Sequence, residues 1–217
     1  MTKRRVAILI SGRGSNMAAL IQAARAPDFP AEIALVMSNI ADAGGLESAR
    51  AAGIKAATVE SKSFGKDREA FERAMHDELL RHNIDLVCLA GFLRLLTPWF
   101  VQQWEGRMIN IHPALLPSYR GLHTHERALT DGVKIHGATV HFVVADVDAG
   151  PIIVQGAVTV HDNDTPGSLA ARVLQVEHRI YPQALRMVAS GQTTINGAVC
   201  KSTIATATEK TLISPAL

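Results

Sequence analysis

Asn110 and His112 stand two residues apart at the end of an apolar run. Alternate residues of a β-strand share a face, so the amide and the imidazole should point the same way. Pro113 cannot donate a hydrogen bond within a sheet, and we expect the strand to end there. An amide and an imidazole side by side can stabilise an oxyanion and move a proton, as acyl transfer to an amine requires. The alternative is a strand end with two solvated polar residues.

The loop from Ser11 to Asn16 is a candidate anion site. It follows the apolar run Val6 to Ile10 and precedes apolar residues at helical spacing. Gly12 and Gly14 permit close approach, and the N–H groups of a helix N-terminus bind anions. The loop lacks the third glycine of a dinucleotide motif and the lysine of a nucleotide-triphosphate loop, which favours a single phosphate. The alternative is a tight turn without a ligand.

Asp148 lies in a glycine-containing turn far along the chain from His112. If the fold brings the two together, the carboxylate would favour the protonated imidazole. The chain has nine histidines, but neither a cysteine pair nor a His-Glu-x-x-His spacing accompanies them, so we predict no metal site. Cys88 lies inside an apolar strand and is expected to be inert core.

Composition narrows the class of protein. The 217 residues are 47% hydrophobic and 19% charged, as in an ordinary globular domain. A net charge of +2 and 5% aromatic residues argue against a nucleic-acid partner. Only two cysteines, no signal peptide before Val6 and no apolar run near ~18 residues predict a cytoplasmic protein without a membrane partner.

Apolar runs alternate with helical patterns in the first half, which predicts a parallel sheet. Strands are predicted at Val6 to Ile10, Ile33 to Met37, Ala57 to Val59, Ile84 to Ala90 and Met108 to Ile111. Helices are predicted after Asn16, at Leu46 to Ala52, from near Asp67, and from Thr97-Pro98 to Trp104.

The pattern changes after Pro117. A helix is predicted near Glu126 to Leu129, then two long strands, Ala138 to Val144 and Ile152 to Val160, joined by a hairpin or long loop. A long helix capped by Thr165-Pro166 should end near Ser190, before a possible strand near Ala198 to Ile204 and an irregular end. We therefore expect a doubly wound α/β fold with a mostly parallel, Rossmann-like sheet and an antiparallel strand pair in the C-terminal half.

Six short motifs follow one another along the chain, and together they are highly specific for one protein family. They are Ile-Ser-Gly-x-Gly-Ser-Asn at 10–16, Ala-Gly-Phe at 90–92, Asn-Ile-His-Pro at 110–113, Gly-Leu-His-Thr-His at 121–125, His-Gly-Ala-Thr-Val-His-Phe at 136–142 and Asp-x-Gly-Pro at 148–151. With these motifs the chain resembles the folate-dependent phosphoribosylglycinamide formyltransferases of purine synthesis, from about Val6 to Ser190. The tail beyond is not covered by the resemblance.

The resemblance implies roles for individual residues. The implied catalytic residues are Asn110, His112 and Asp148, with Asn110 also contacting the folate. The implied ribotide-binding residues are Arg13, Gly14, Ser15, Asn16 and Glu177. The implied folate-binding residues are Arg68, Leu93, Arg94, Leu95 and Leu96, mostly through their backbone. Arg13 departs from an asparagine common in the family's loop, so it either adds a phosphate contact or points outward.

The resemblance also implies an activity, transfer of a formyl group from 10-formyltetrahydrofolate to the amine of phosphoribosylglycinamide. The co-substrate would be formyltetrahydrofolate, with no metal, in a monomer or homodimer. One formyltransferase domain is expected at residues 1–191, with a phosphate-binding half at about 1–100, a folate-binding and catalytic half at about 101–191, and a tail at 192–217.

Three alternatives stay open. A formyltetrahydrofolate hydrolase would use water as the attacking group, but an additional N-terminal regulatory domain is expected for it. A methionyl-tRNA formyltransferase would need an additional RNA-binding domain and a basic surface, and neither expectation fits 217 residues at a net charge of +2. A non-catalytic phosphosugar-binding module would carry the asparagine and histidine incidentally.

Overall fold

The structure is a computed structural model that describes residues 2–204, 212 and 214. Its main sheet contains seven strands, numbered in chain order: β1 Arg4–Ile10, β2 Ala31–Ser38, β3 Lys55–Thr58, β4 Leu86–Leu89, β5 Met108–His112, β6 Ile135–Phe142 and β7 Ile152–Thr159. Their spatial order is β3-β2-β1-β4-β5-β6-β7. Strands β1 to β5 pair in parallel, whereas β5 with β6 and β6 with β7 pair antiparallel. The predicted α/β class and its antiparallel strand pair are confirmed.

Six α-helices connect or flank the strands: α1 Ser15–Ala24, α2 Gly44–Ala51, α3 Arg68–Arg81, α4 Pro98–Gln103, α5 Thr124–Thr130 and α6 Pro166–Ala189. The side chains that cap three of them are those the sequence indicates. Asp67 accepts from the Ala70 N–H, Thr97 caps α4, and Thr165 caps α6. Because each cap satisfies a backbone donor that the helix cannot, these helix starts follow from local sequence.

The two faces of the sheet bury separate hydrophobic cores. Val6, Ile8 and Ile10 of β1 lie in the core that includes residues of α1, α2 and α6. Ala7 and Leu9 lie in the core that includes residues of α3 and α4. Successive side chains of a strand point to opposite faces, so this strict alternation of fully buried residues confirms that the sheet is doubly wound.

The strand order reverses between β1 and β4, because the chain adds β2 and β3 on one side of β1 and the later strands on the other. In open α/β sheets, ligands bind beyond the carboxyl ends of the strands at this point of reversal. The Ser11 to Asn16 loop follows β1 there. The segment from Gly91 follows β4, and the end of β5 carries Asn110 and His112.

Differences from the predicted elements concern short and polar segments. β3 spans Lys55–Thr58, starting before the predicted Ala57 to Val59, because its edge pairing begins opposite Leu35 of β2. In the tail, β9 (Val199–Ser202) was predicted but its partner β8 (Thr193–Asn196) was not. β8 consists mostly of exposed polar residues, so it has no apolar alternation to detect.

The irregular end predicted after Ile204 lies outside the described residues, apart from 212 and 214. The division into a domain at 1–191 and a tail stays a prediction. Within the described part of the chain, no helix is both long and apolar enough to cross a membrane.

Candidate active site

Asn110 and His112 line one cavity of about 850 Å³ at the carboxyl end of β5. They share a strand face, as their spacing predicts. His112 is buried and Asn110 is half-buried, so the alternative of two solvated polar residues is wrong for the histidine. The volume is within the range of small-molecule sites.

Each ring nitrogen of His112 faces a hydrogen-bond acceptor. Nδ1 lies 3.3 Å from Oδ2 of Asp148, and Nε2 lies 2.9 Å from the carbonyl oxygen of Tyr119. An imidazole protonated at both nitrogens can donate to both acceptors. The fold thus brings His112 and Asp148 together. From the sequence alone, this contact could be stated only as a condition on the fold.

Asp148 is held by the turn between β6 and β7. The Gly121 N–H donates to its Oδ2 at 2.9 Å, and its own φ of 50° lies in the left-handed region. Such backbone conformations cost energy in residues other than glycine and are often found at functional sites. Gly150 lies in the same turn. A Cβ added to it would lie 1.8 Å from the Phe142 carbonyl oxygen, so only glycine fits at this position.

His141 is a fourth residue of this cluster, and the sequence did not single it out for catalysis. It pairs with Asn110 across β5 and β6, and its Nε2 lies 3.3 Å from the Asn110 amide nitrogen. Its Nδ1 lies 2.9 Å from the Phe142 carbonyl oxygen, an acceptor that requires a proton on Nδ1. Burial lowers the pKa of His141, so Nε2 is the free acceptor and takes one amide hydrogen of Asn110. The strand register, invisible in the sequence, was needed to find this pair.

The Ser11 to Asn16 loop lines a smaller cavity of about 180 Å³ at the start of α1. Arg13, Gly14, Ser15 and Asn16 all border it. Gly14 has a φ of 75° and is the N-cap of the helix, a conformation that glycine adopts without strain. Arg13 is exposed at the cavity and is the only charged residue that lines it within the described part of the chain.

Asn16 links the two cavities, because it lines both of them. Its amide nitrogen donates to Oε2 of Glu177 on α6 at 2.6 Å. Burial raises the pKa of Glu177. The buried Oδ1 of Asn16 has no hydrogen-bond partner among the described residues. Buried polar atoms are normally paired, so a donor from a ligand is expected here.

The segment after β4, residues 91–97, forms a wall of the larger cavity, which we call the pocket loop. Leu93, Arg94, Leu95 and Leu96 all line the cavity. Arg68 does not line it but lies behind the pocket loop, where its Nη2 donates to the Leu95 carbonyl oxygen at 2.5 Å. With Asn110, which also lines the cavity, five of the six predicted folate residues are on the cavity wall, and Arg68 contacts that wall without lining it.

Cys88 is fully buried, and burial raises the pKa of its thiol to about 12. A thiol with so high a pKa is a poor nucleophile at neutral pH. Among the described residues, no group of three or more His, Cys, Asp or Glu side chains is arranged to hold a metal ion.

Similarity to known proteins extends over most of the chain. The chain is 50% identical over 200 residues to the trifunctional purine biosynthetic protein adenosine-3 of Homo sapiens, covering 91% of this chain and 20% of that protein. It therefore spans about a fifth of the length of that relative. It is 45% identical over 187 residues to the phosphoribosylglycinamide formyltransferase of Escherichia coli, covering 86% of this chain and 88% of that protein.

A solved structure is also similar to this chain in both sequence and fold. The phosphoribosylglycinamide formyltransferase from Brucella melitensis superposes with a TM-score of 0.83 at 53% sequence identity, covering 88% of this chain and 97% of that chain. The model of the formyl transferase family matches residues 4–185, which include Asn110, His112, Asp148 and Glu177. This chain belongs to the formyl transferase family.

Proposed function

We propose that this protein transfers a formyl group from 10-formyltetrahydrofolate to the amine of N1-(5-phosphoribosyl)glycinamide, a step of purine biosynthesis. The observation that carries the proposal is the position of Asn110, His112 and Asp148. They lie on the wall of a large cavity that shares Asn16 and Gly91 with the cavity of the anion loop. A phosphorylated amine and a formyl donor would therefore meet at the three side chains.

In the proposed reaction, the amine nitrogen forms a bond to the formyl carbon, and the carbonyl oxygen becomes an oxyanion. Asn110 and protonated His112 donate hydrogen bonds to this oxygen. The carbonyl then re-forms, the bond from carbon to the folate nitrogen breaks, and a proton passes from the attacking amine to that nitrogen through His112. The products are the formylated ribotide and tetrahydrofolate.

The contacts of Asn110 and His112 suit these roles. One amide hydrogen of Asn110 is taken by His141, which fixes the amide plane and leaves the second hydrogen for the substrate oxygen. Nδ1 of His112 keeps Asp148 as its acceptor, while Nε2 would exchange the Tyr119 carbonyl for the substrate oxygen. Asp148 therefore orients the ring during catalysis.

The large cavity suits a flat heterocycle with a hydrophobic extension. Leu93, Leu95, Leu122 and Val147 line it and are all exposed, and a ligand would cover their apolar surface. The peptide groups of Arg94 and Leu96 have no hydrogen-bond partner among the described residues. These free donors and acceptors match the edge of a folate ring, which supports the backbone contacts that the family resemblance implies.

The smaller cavity suits the ribotide phosphate. Gly14, Ser15 and Asn16 would supply backbone N–H groups at the start of α1, with Arg13 as a charged partner. Glu177 would accept from the ribose hydroxyls, and the unpartnered Asn16 Oδ1 would take a further donor. In this proposal the partners are small molecules only, and they bind without a metal. The protein is a monomer or a homodimer and acts in the cytoplasm.

Product analysis with and without the amine tests the proposal. A transferase holds the formyl group nearly inert until the amine binds, because only the bound amine is oriented for attack. We expect tetrahydrofolate release to require phosphoribosylglycinamide, to match the formylated ribotide mole for mole, and to fall sharply with the unphosphorylated analogue. Rapid formate release without the acceptor would instead establish a hydrolase, and the absence of folate binding would favour a phosphosugar-binding module.

A further inference from the structure

Three side chains that do not line the larger cavity make hydrogen bonds to alternate residues of the pocket loop. Ser11 Oγ accepts from the Leu93 N–H at 2.8 Å. Arg68 donates to the Leu95 carbonyl. Glu72 Oε1 accepts from the Thr97 N–H at 2.8 Å. The backbone of the loop is thus held by these side chains at residues 93, 95 and 97, and at Gly91 its carbonyl oxygen accepts from the Ser11 N–H at 3.0 Å. The peptide groups of residues 94 and 96 are unpaired among the described residues.

Glu72 differs from the other two because it is an acidic side chain that is only 1% exposed. Its second oxygen accepts from the Thr97 hydroxyl. That hydroxyl accepts in turn from the Phe100 N–H, so its proton must point to Glu72. None of the salt bridges between described residues involves Glu72. Burying an acidic group without an opposite charge is costly unless hydrogen bonds compensate, and here both compensating bonds come from Thr97.

We propose that Glu72 is a positioning residue for the formyl donor: by holding Thr97 through two hydrogen bonds, it sets the pocket loop so that the free peptide groups of Arg94 and Leu96 face the donor. This inference rests on the proposed function. Glu72 is buried and does not line either cavity, so any effect on the donor must pass through the pocket loop.

The arrangement on α3 supports the inference. Arg68, Phe71 and Glu72 lie at positions i, i+3 and i+4, which share one helix face. Each contacts the pocket loop or its end: Arg68 at Leu95, Phe71 below the Arg94 guanidinium at 5.9 Å, and Glu72 at Thr97. A single rigid helix face therefore fixes the loop, which is the way precise binding sites are supported.

Steady-state kinetics of Glu72→Ala and Glu72→Gln test the role. Glu72→Ala leaves the Thr97 N–H and hydroxyl without their acceptor, and we expect KM for 10-formyltetrahydrofolate to rise about 10-fold or more. KM for phosphoribosylglycinamide and kcat at saturating donor should change less than about 3-fold, since the anion loop and Asn110 are untouched. Glu72→Gln keeps the size and one acceptor oxygen, so its donor KM should lie between those of wild type and Glu72→Ala.

Glu69→Ala is the matched control, because Glu69 is an exposed carboxylate of the same helix, and its ion pair is with Arg73. It should leave both KM values unchanged. Hydrogen exchange of residues 92–97 without substrates gives a second readout, and it should speed up in both Glu72 variants but not in Glu69→Ala. If the Glu72 variants exchange and react as wild type does, or if both KM values rise equally, the positioning role is refuted. If wild type itself fails to use the folate donor, the proposed function fails, and the exchange data alone still decide whether Glu72 holds the loop.

Discussion

At the residue scale, the site is a chain of oriented donors and acceptors. His141 fixes the Asn110 amide, and Asp148 and the Tyr119 carbonyl fix the His112 ring. Oxyanion stabilisation depends on donors that are already aligned, because realigning them during the reaction would raise the barrier. The buried position of His112 strengthens this effect, since water screens its hydrogen bonds less.

Replacing a donor should slow the chemical step. We expect Asn110→Ala and His112→Ala each to lower kcat by about 100- to 1000-fold, the usual cost of an oxyanion donor. Both KM values should change far less than kcat, because neither residue belongs to the anion loop or the pocket loop and the folate contact implied for Asn110 is one of several. Single-turnover assays with both substrates saturating measure the step directly.

His161→Ala is the control for these variants, since His161 is an exposed histidine away from both cavities. It should retain the wild-type rate. A near-normal kcat in Asn110→Ala or His112→Ala would remove that residue from the mechanism.

At the element scale, the two halves of the site lie at the ends of neighbouring strands. The loop after β1 forms the anion cavity, and the loop after β4 with the end of β5 forms the larger one. Because these strands are neighbours across the point where the strand order reverses, the loops meet without any long connection. The turn after antiparallel β6 then returns Asp148 to the same edge.

The start of α1 should control ribotide binding alone. In Gly14→Val the new side chain would be strained at a φ of 75° and its Cβ would lie 3.0 Å from the end of Met17, displacing the N–H groups that we propose to bind phosphate. We expect KM for phosphoribosylglycinamide to rise at least about 10-fold and KM for the folate to change far less. Initial-rate measurements over both substrate concentrations give the two constants.

Gly53→Val separates this effect from backbone strain. Gly53 also has a positive φ, 78°, with nothing within 4 Å of an added Cβ, and it lies outside both cavities. It should lose stability without a selective change in KM. Equal increases of both KM values in Gly14→Val would contradict the assignment of the loop to phosphate.

At the scale of the whole molecule, buried His136 and its half-buried neighbour His125 link stability to pH. The rings of His125 and His136 lie 5.3 Å apart, edge to face. Burial, with smaller effects from His125 and His112, lowers the pKa of His136 to about 4. Burial lowers the pKa of His125 as well. Both histidines are therefore neutral in the folded protein at neutral pH.

The protein should lose stability on mild acidification. An unfolded histidine binds a proton near pH 6.5, whereas folded His136 does so only near pH 4. The unfolded state thus binds more protons between these values, so the free energy of unfolding should fall as pH drops from 6.5 to 4, by roughly 3 kcal/mol for His136. Urea unfolding at pH 7, 6, 5 and 4.5 measures the slope.

The slope should be shallower in His136→Gln, which cannot titrate, and unchanged in the exposed control His161→Gln. Identical slopes in wild type and His136→Gln would show that His136 is not the source of the pH dependence.

The sequence by itself determined the elements and the chemical types of the site. The Val6 to Ile10 run, the caps Asp67, Thr97 and Thr165, and the loop glycines act over a few residues, so local pattern was sufficient to predict them. The motif set was specific enough to indicate the family, which the comparisons confirmed. The polar, exposed strand β8 had no such pattern and was missed.

Only the tertiary structure decided which side chains meet. Asp148 reaches His112 through a turn with a left-handed residue, His141 reaches Asn110 through the register of two strands, and Glu72 reaches Thr97 across two helices. Hydrophobic and capping signals are short-range, whereas these contacts join residues far apart in the chain. Their geometry is set by how the strands and helices pack, and no local pattern in the sequence specifies that packing.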